Sequence, residues 1–121
     1  MPRRGISGAG KADTEADESA EVRDALGLLG QRGVLAILQT LASGAAGFNE
    51  IGRRTAMHPA ILSRRLALLE REDVLAKRIV STMPPKGEYS LTQSGVALIP
   101  VIEAIRAWAL ARHSSSPVNK A

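Results

Sequence analysis

Residues 48–69, FNEIGRRTAMHPAILSRRLALL, decide the fold. They read as helix, turn, helix. Asn49 can cap a short first helix that carries Ile51 on its inner side. Glu50 falls in its first turn, where a negative charge suits the helix dipole. Thr55-Ala56-Met57-His58 is a tight connection. Pro59 then stands where a second helix would begin, because a fixed φ and a missing N–H suit the first helical position. On that helix Leu62, Leu66 and Leu69 recur at i, i+4 and i+7 and share one face. A turn of 100° per residue puts Ala60, Ser63, Arg64, Ala67 and Arg71 opposite. Arg65 falls toward the buried side, so its stem should lie along the core edge while its head reaches out.

That outer face suits a DNA major groove. Small residues let the backbone approach. Arg64 can fork onto the O6 and N7 of guanine, and Ala60 or Ala67 can touch a thymine methyl. The plainer reading is a helical hairpin with a solvated basic face.

Downstream, Val74 to Val80 is β-rich and partly alternating, and Ser81 to Gly87 reads as a turn because two prolines do not sit inside a paired strand. Glu88 to Leu91 returns, with Tyr89 and Leu91 on one face. Helix, turn, helix, hairpin is the order of a winged helix. Lys77, Arg78 and Lys86 on the hairpin can reach phosphates or a minor groove.

Upstream, Ser19 starts a helical pattern with Val22, Leu26 and Leu29 on one face. Gly30 and Gly33 should end it. A second run, Val34 to Leu41, places Leu35, Leu38 and Leu41 together, and residues 43–47 close it as a loop. Thr92 caps the last helix. Leu98, Ile102, Ile105 and Ala109 form its stripe, with Val101 and Trp108 alongside, and Pro100 should kink it. This helix either packs on its own core or pairs with a second copy. Residues 1–18 read as a disordered tail, 19–112 as the folded domain, and 113–121 as a frayed end.

Composition bounds the rest. The chain has 121 residues and one each of Phe, Trp and Tyr, so its core is aliphatic, which fits packed helices. The net charge of +4 allows a polyanionic partner. Residues 48–91 hold eight Lys or Arg, Arg53 and Arg54 among them, against five acids. The sequence contains no cysteine, which excludes disulfides and thiol redox chemistry within it. No apolar run approaches the roughly 20 residues of a membrane span. The expected compartment is the cytoplasm. His58 and His113 lack the acidic neighbours of a metal site, and Glu70, Glu72 and Asp73 accompany no nucleophile or phosphate loop. No enzyme, cofactor or metal is expected.

FNEI (48–51), LSRRLALLE (62–70), MPPKGEYSLTQSG (83–95) and LIPVIEAIRAW (98–108) together resemble the HxlR-type branch of the MarR-like winged-helix regulators. The resemblance covers about residues 20–110. It implies a mainly α fold with a small β-hairpin, a winged helix-turn-helix whose N- and C-terminal helices dimerise. The implied function is a bacterial homodimer binding double-stranded DNA, with recognition helix 59–70 and wing 75–91. On this reading the DNA-facing residues are Asn49, Arg53, His58, Pro59, Ala60, Ser63, Arg64, Ala67, Lys77, Arg78 and Lys86. The dimer surface takes Val22, Leu26, Leu29, Leu98, Val101, Ile102, Ile105 and Trp108. The chain departs from the family in several places. Gly30-Gln31-Arg32-Gly33 replaces a Gly-Gly-Lys-Trp. The sensing cysteine common near Ala20 is absent. His58 stands where a hydroxyl cap is usual, and Asp73 where glycine is usual. A small-molecule effector would belong between the central motif and the dimer helices. The other use of such a fold is a protein-interaction module.

Overall fold

The computed structural model describes the backbone of residues 19–120 and the side chains of residues 19–114. The expected tail over 1–18 lies outside the described residues. The chain divides into two units, Met1–Arg32 and Gly33–Ala121.

The first unit contributes helix α1, Ala20–Leu29. Ser19 caps it, its Oγ accepting from the Val22 N–H at 3.1 Å. Gly30 closes it through its N–H to the Leu26 carbonyl. None of its residues is buried: Val22 and Leu26 are exposed and Leu29 is half-buried.

The second unit begins at Gly33, whose φ of 88° is left-handed. Glycine suits that backbone conformation, and the flexible end of Met57 lies where a Cβ would stand. Helix α2, Val34–Ala42, buries Val34, Ile37, Leu38 and Leu41. Its inward face is therefore centred away from Leu35, which is half-buried. Thr40 is buried but satisfied, its hydroxyl donating to the Ala36 carbonyl at 2.9 Å.

Helix α3 is Phe48–Thr55 and helix α4 is Pro59–Arg71. The expected Asn49 cap is corrected. Gly47 is the N-cap, in extended conformation with no side-chain bond, and Asn49 is already helical. Ala56 ends α3 in the left-handed region at φ 58°, and its N–H reaches the Gly52 carbonyl at 2.8 Å. His58 caps α4, its ring Nδ1 accepting from the Ala60 N–H at 3.1 Å. Leu62, Leu66 and Leu69 are buried. Each contributes on the order of 1.5–3 kcal/mol, against about 1 kcal/mol for a cap, so packing holds this helix. Asp73 then takes φ 62°, so the aspartate adopts the left-handed turn for which glycine is the easier choice.

The hairpin is β1, Leu75–Thr82, antiparallel to β2, Pro85–Leu91. The strands run closer to the tip than expected. Pro85 opens β2 opposite Thr82, a position proline tolerates because it is the first residue of its strand. Only Met83 and Pro84 remain as the turn.

Helix α5, Gln93–Ala97, is capped by Thr92, whose Oγ1 accepts from the Gly95 N–H at 3.2 Å and lies 2.6 Å from the Asp73 carbonyl it donates to. Gly95 is buried, and a Cβ there would collide with the Val74 carbonyl. The expected kink at Pro100 is instead a break. Proline has no N–H for the Val96 carbonyl, so α5 stops at Ala97 and α6, Ile99–Lys120, starts with Pro100 in its first turn. The helix continues past His113, where a frayed end was expected.

α2 packs against α3, α6 and β2, and α4 packs on β1. Ile102 of α6 is buried. It belongs to the core of its own unit, which corrects its assignment to the dimer surface: at 3% exposure it has little surface left for a second copy, and it lines one cavity with Leu38 and Ala42 of α2. By length and composition alone, Gln93–Ser114 is long and apolar enough to cross a membrane. This corrects the expectation that no stretch approaches that length; Pro100, Glu103 and Arg106 interrupt it, so no unbroken apolar run marks it. The order helix, helix, turn, helix, hairpin, with a final long helix, is a winged helix.

Candidate nucleic-acid interface

Burying Leu62, Leu66 and Leu69 fixes the rotation of α4 about its axis. Ala60, Ser63, Arg64, Ala67 and Arg71 are consequently exposed together. Pro59 and His58 are exposed at the same helix's start. With Nδ1 occupied as an acceptor, a neutral His58 carries its proton on Nε2. Arg65 is half-buried, as its position beside the leucine stripe dictates.

The wing residues differ among themselves. Lys77 stands opposite Tyr89 in the register, and its Nζ lies 5.7 Å from the centre of that ring. Its stem crosses Gly87, where a Cβ would come within 2.8 Å of the Lys77 Cε. Lys77 is therefore held along its own hairpin. Arg78 stands opposite Glu88. Lys86 is exposed beside the tip and faces a cleft shared with the start of α3. That cleft brings Asn49, Arg53 and Lys86 together, and with them Glu50 and Glu88. Two cations and two carboxylates leave it without strong net charge. Glu50 is further engaged by Arg54, 3.7 Å away, and Arg54 also donates to the Ser43 Oγ at 3.1 Å.

One organising contact had no sequence signal. Ala46 pairs with Tyr89 through two backbone hydrogen bonds of 3.0 and 2.8 Å. This bridge ties the wing's return strand to the segment just before α3, and so sets the wing beside the helix pair. A single bridged residue leaves no periodicity, and Ser43 to Gly47 reads as a loop.

Between α2 and α6 lies an open cavity of about 340 Å³, lined by Leu38, Gln39 and Ala42 of α2 and by Ile99, Ile102, Glu103 and Arg106 of α6. Among the described residues no cluster of His, Cys, Asp and Glu could hold a metal ion.

Comparison with known proteins places this arrangement. The family model described as HxlR-like helix-turn-helix matches residues 28–116. The chain is 33% identical over 105 residues to an uncharacterized HTH-type transcriptional regulator of Methanothermobacter thermautotrophicus, covering 86% of this chain and 79% of that one. It is 32% identical over 90 residues to the HTH-type transcriptional regulator YodB of Bacillus subtilis, covering 74% and 80%. The solved reduced form of YodB superposes with a TM-score of 0.70 at 30% identity, over 75% of this chain and 90% of that one. YodB has also been solved after diamide treatment, with a TM-score of 0.68 to this chain. Family model, relatives and fold agree: this chain is a member of the HxlR-like helix-turn-helix family of transcriptional regulators and is not an enzyme.

Proposed function

We propose that the chain acts in the cytoplasm as a homodimer that binds double-stranded DNA sequence-specifically, with α4 in the major groove and the wing on the backbone or minor groove. The observation that carries this reading is the outer face of α4. It exposes Ala60, Ser63, Arg64 and Ala67 together, small residues around one arginine, on a helix whose rotation is fixed by three buried leucines. Arg64 is the base-reading residue. Arg53, Arg78 and Lys86 supply phosphate contacts. Two copies give two recognition helices, and the operator is an inverted repeat with half-sites roughly 34–36 Å apart.

The dimer reading rests on apolar surface that each unit leaves open. Val22 and Leu26 are exposed on α1, and Val101, Ile105 and Trp108 on α6. We read these faces as joined to a second copy and not to a membrane, because Glu103 and Arg106 interrupt the α6 surface. An effector, where one acts, has the cavity between α2 and α6 available. With no cysteine in the sequence, a thiol oxidant is not the signal, and diamide should leave DNA retention unchanged.

Gel-shift binding to the duplex upstream of the protein's own gene, at two salt concentrations and against random competitor, tests the proposal. The expected result is a shifted band that survives competitor and weakens as salt rises. Equal competition by random DNA at both salts would favour the protein-interaction reading.

A further inference from the structure

The wing tip carries more apolar surface than a phosphate-binding hairpin requires. Met83 is 92% exposed, Ile79 56% and Val80 43%, and Pro84 and Pro85 beside them are also exposed. The tip is stiff. Two prolines fix φ at successive positions, and the Ser81 hydroxyl donates to the Pro84 carbonyl at 3.1 Å across the turn. Ile79 faces Gly87, which has no side chain to cover it, and the irregularity between Ile79 and Ser81 leaves Val80 without a cross-strand partner. Charge brackets this surface: Arg78 precedes Ile79 and Lys86 follows Pro85, both exposed.

An apolar point between two cations matches a minor groove, whose walls carry phosphates and whose interior offers sugar faces and base steps. Apolar side chains that enter it unstack a step and bend the duplex. We infer that the wing tip is an apolar wedge, with Met83 pressed against a base step and Arg78 and Lys86 on the flanking phosphates. This rests on the DNA-binding reading and adds to it a second source of specificity. The wing selects for a deformable step, TA or CA/TG, at a fixed distance from the bases under α4. Rigidity serves that role, because a tip already ordered loses little freedom on insertion.

The test uses the full chain and a duplex recovered by binding selection from a randomised pool. 2-Aminopurine is placed at successive positions, and bending is read by circular permutation in gels. The expected result is a fluorescence rise at one step outside the major-groove half-site, a measurable bend, and pyrimidine–purine enrichment at that step. Met83→Ser should abolish the rise and the bend and weaken binding roughly ten-fold, while Met83→Leu preserves all three. Met83 touches the core nowhere, so both variants should melt like the parent. A parent complex with no unstacking and no bend would overturn the wedge while leaving DNA binding intact. So would a Met83→Ser variant that binds and bends like the parent, or one that alters only self-association or capture of another protein. A pool from which no duplex is enriched would overturn the DNA-binding reading itself, and the wedge with it.

Discussion

Helices α4 and α6 are both amphipathic, and the protein treats their apolar stripes in opposite ways. On α4, Leu62, Leu66 and Leu69 are at most 1% exposed. Among the described residues of α6 only Ile102 is buried, at 3%, while Val101, Ile105 and Trp108 remain 42%, 39% and 64% exposed. Trp108 stays open although the Arg112 guanidinium lies 4.8 Å from the centre of its ring. The difference fits the two tasks proposed for these helices. A fully buried stripe holds a helix at one rotation and so aims its polar face. A stripe left open cannot aim anything inside its own chain, but it can join two chains.

The largest expected effect falls on α4. Leu66→Ala should destabilise the protein by about 2–5 kcal/mol, a large part of a typical total of roughly 5–15 kcal/mol. Urea denaturation measures it, and a loss under about 1 kcal/mol would mean the stripe is not what fixes this helix. On α6 the matching change acts on assembly. Ile105→Asp with Trp108→Asp should give a smaller species in sedimentation that stays largely helical yet no longer holds the operator. A parent that sediments as a monomer at micromolar concentration, and still protects both half-sites independently, would end the dimer reading.

The same contrast explains what the sequence made legible. Leu62, Leu66 and Leu69 recur at helical spacing, so α4 and its inner face follow from period alone. The apolar run of Val34 to Leu41 marks a helix too, but it is apolar on so many sides that period centred the inner face on Leu35 where Val34 and Ile37 are buried. Thr92 and Pro59 mark helix starts by their own chemistry. Features without a side-chain signature were hidden. Gly47 caps α3 with backbone only, which made Asn49 the more visible choice. Ala46 joins the wing through two main-chain bonds. Pro85 reads as a turn residue until it is seen at the first position of a strand. Ile102 shares its stripe with Ile105, and no spacing rule says that one turn of a helix faces inward and the next outward. Among the site residues, the exposed set on α4 follows from the leucines. The entanglement of Lys77 with Tyr89 depends on hairpin register, which two prolines obscured.

A smaller effect sharpens the aiming role of α4. Arg64→Ala should cost on the order of 1–3 kcal/mol on the preferred duplex and relax preference at one operator position. Arg65, half-buried beside the stripe, should show no position-specific loss when changed to alanine. Competition with a set of single-base variants measures both. If Arg64→Ala weakened preferred and random duplexes equally, Arg64 would be a phosphate contact and the outer face of α4 would not be the reader.

The smallest effect separates cations within the wing. Charge counting treats Lys77, Arg78 and Lys86 alike, but the hairpin does not. Lys77 lies along Gly87 with its ammonium over the Tyr89 ring, and an ammonium so held reaches no phosphate without giving up that contact. Arg78 stands across from Glu88, so removing it also leaves a carboxylate facing the duplex. Lys86 sits at the tip with no opposing acid in the register, its partner there being Ser81. Each phosphate contact contributes roughly 0.9 to the slope of log affinity against log salt. Lys86→Ala should therefore flatten the slope by about that amount. Arg78→Ala should flatten it more, because the uncovered Glu88 repels the duplex most at low salt, where it is least screened. Lys77→Ala should leave the slope unchanged. Equal flattening by all three would mean that Lys77 leaves Tyr89 on binding. An unchanged slope after Arg78→Ala and Lys86→Ala together would place the wing away from DNA.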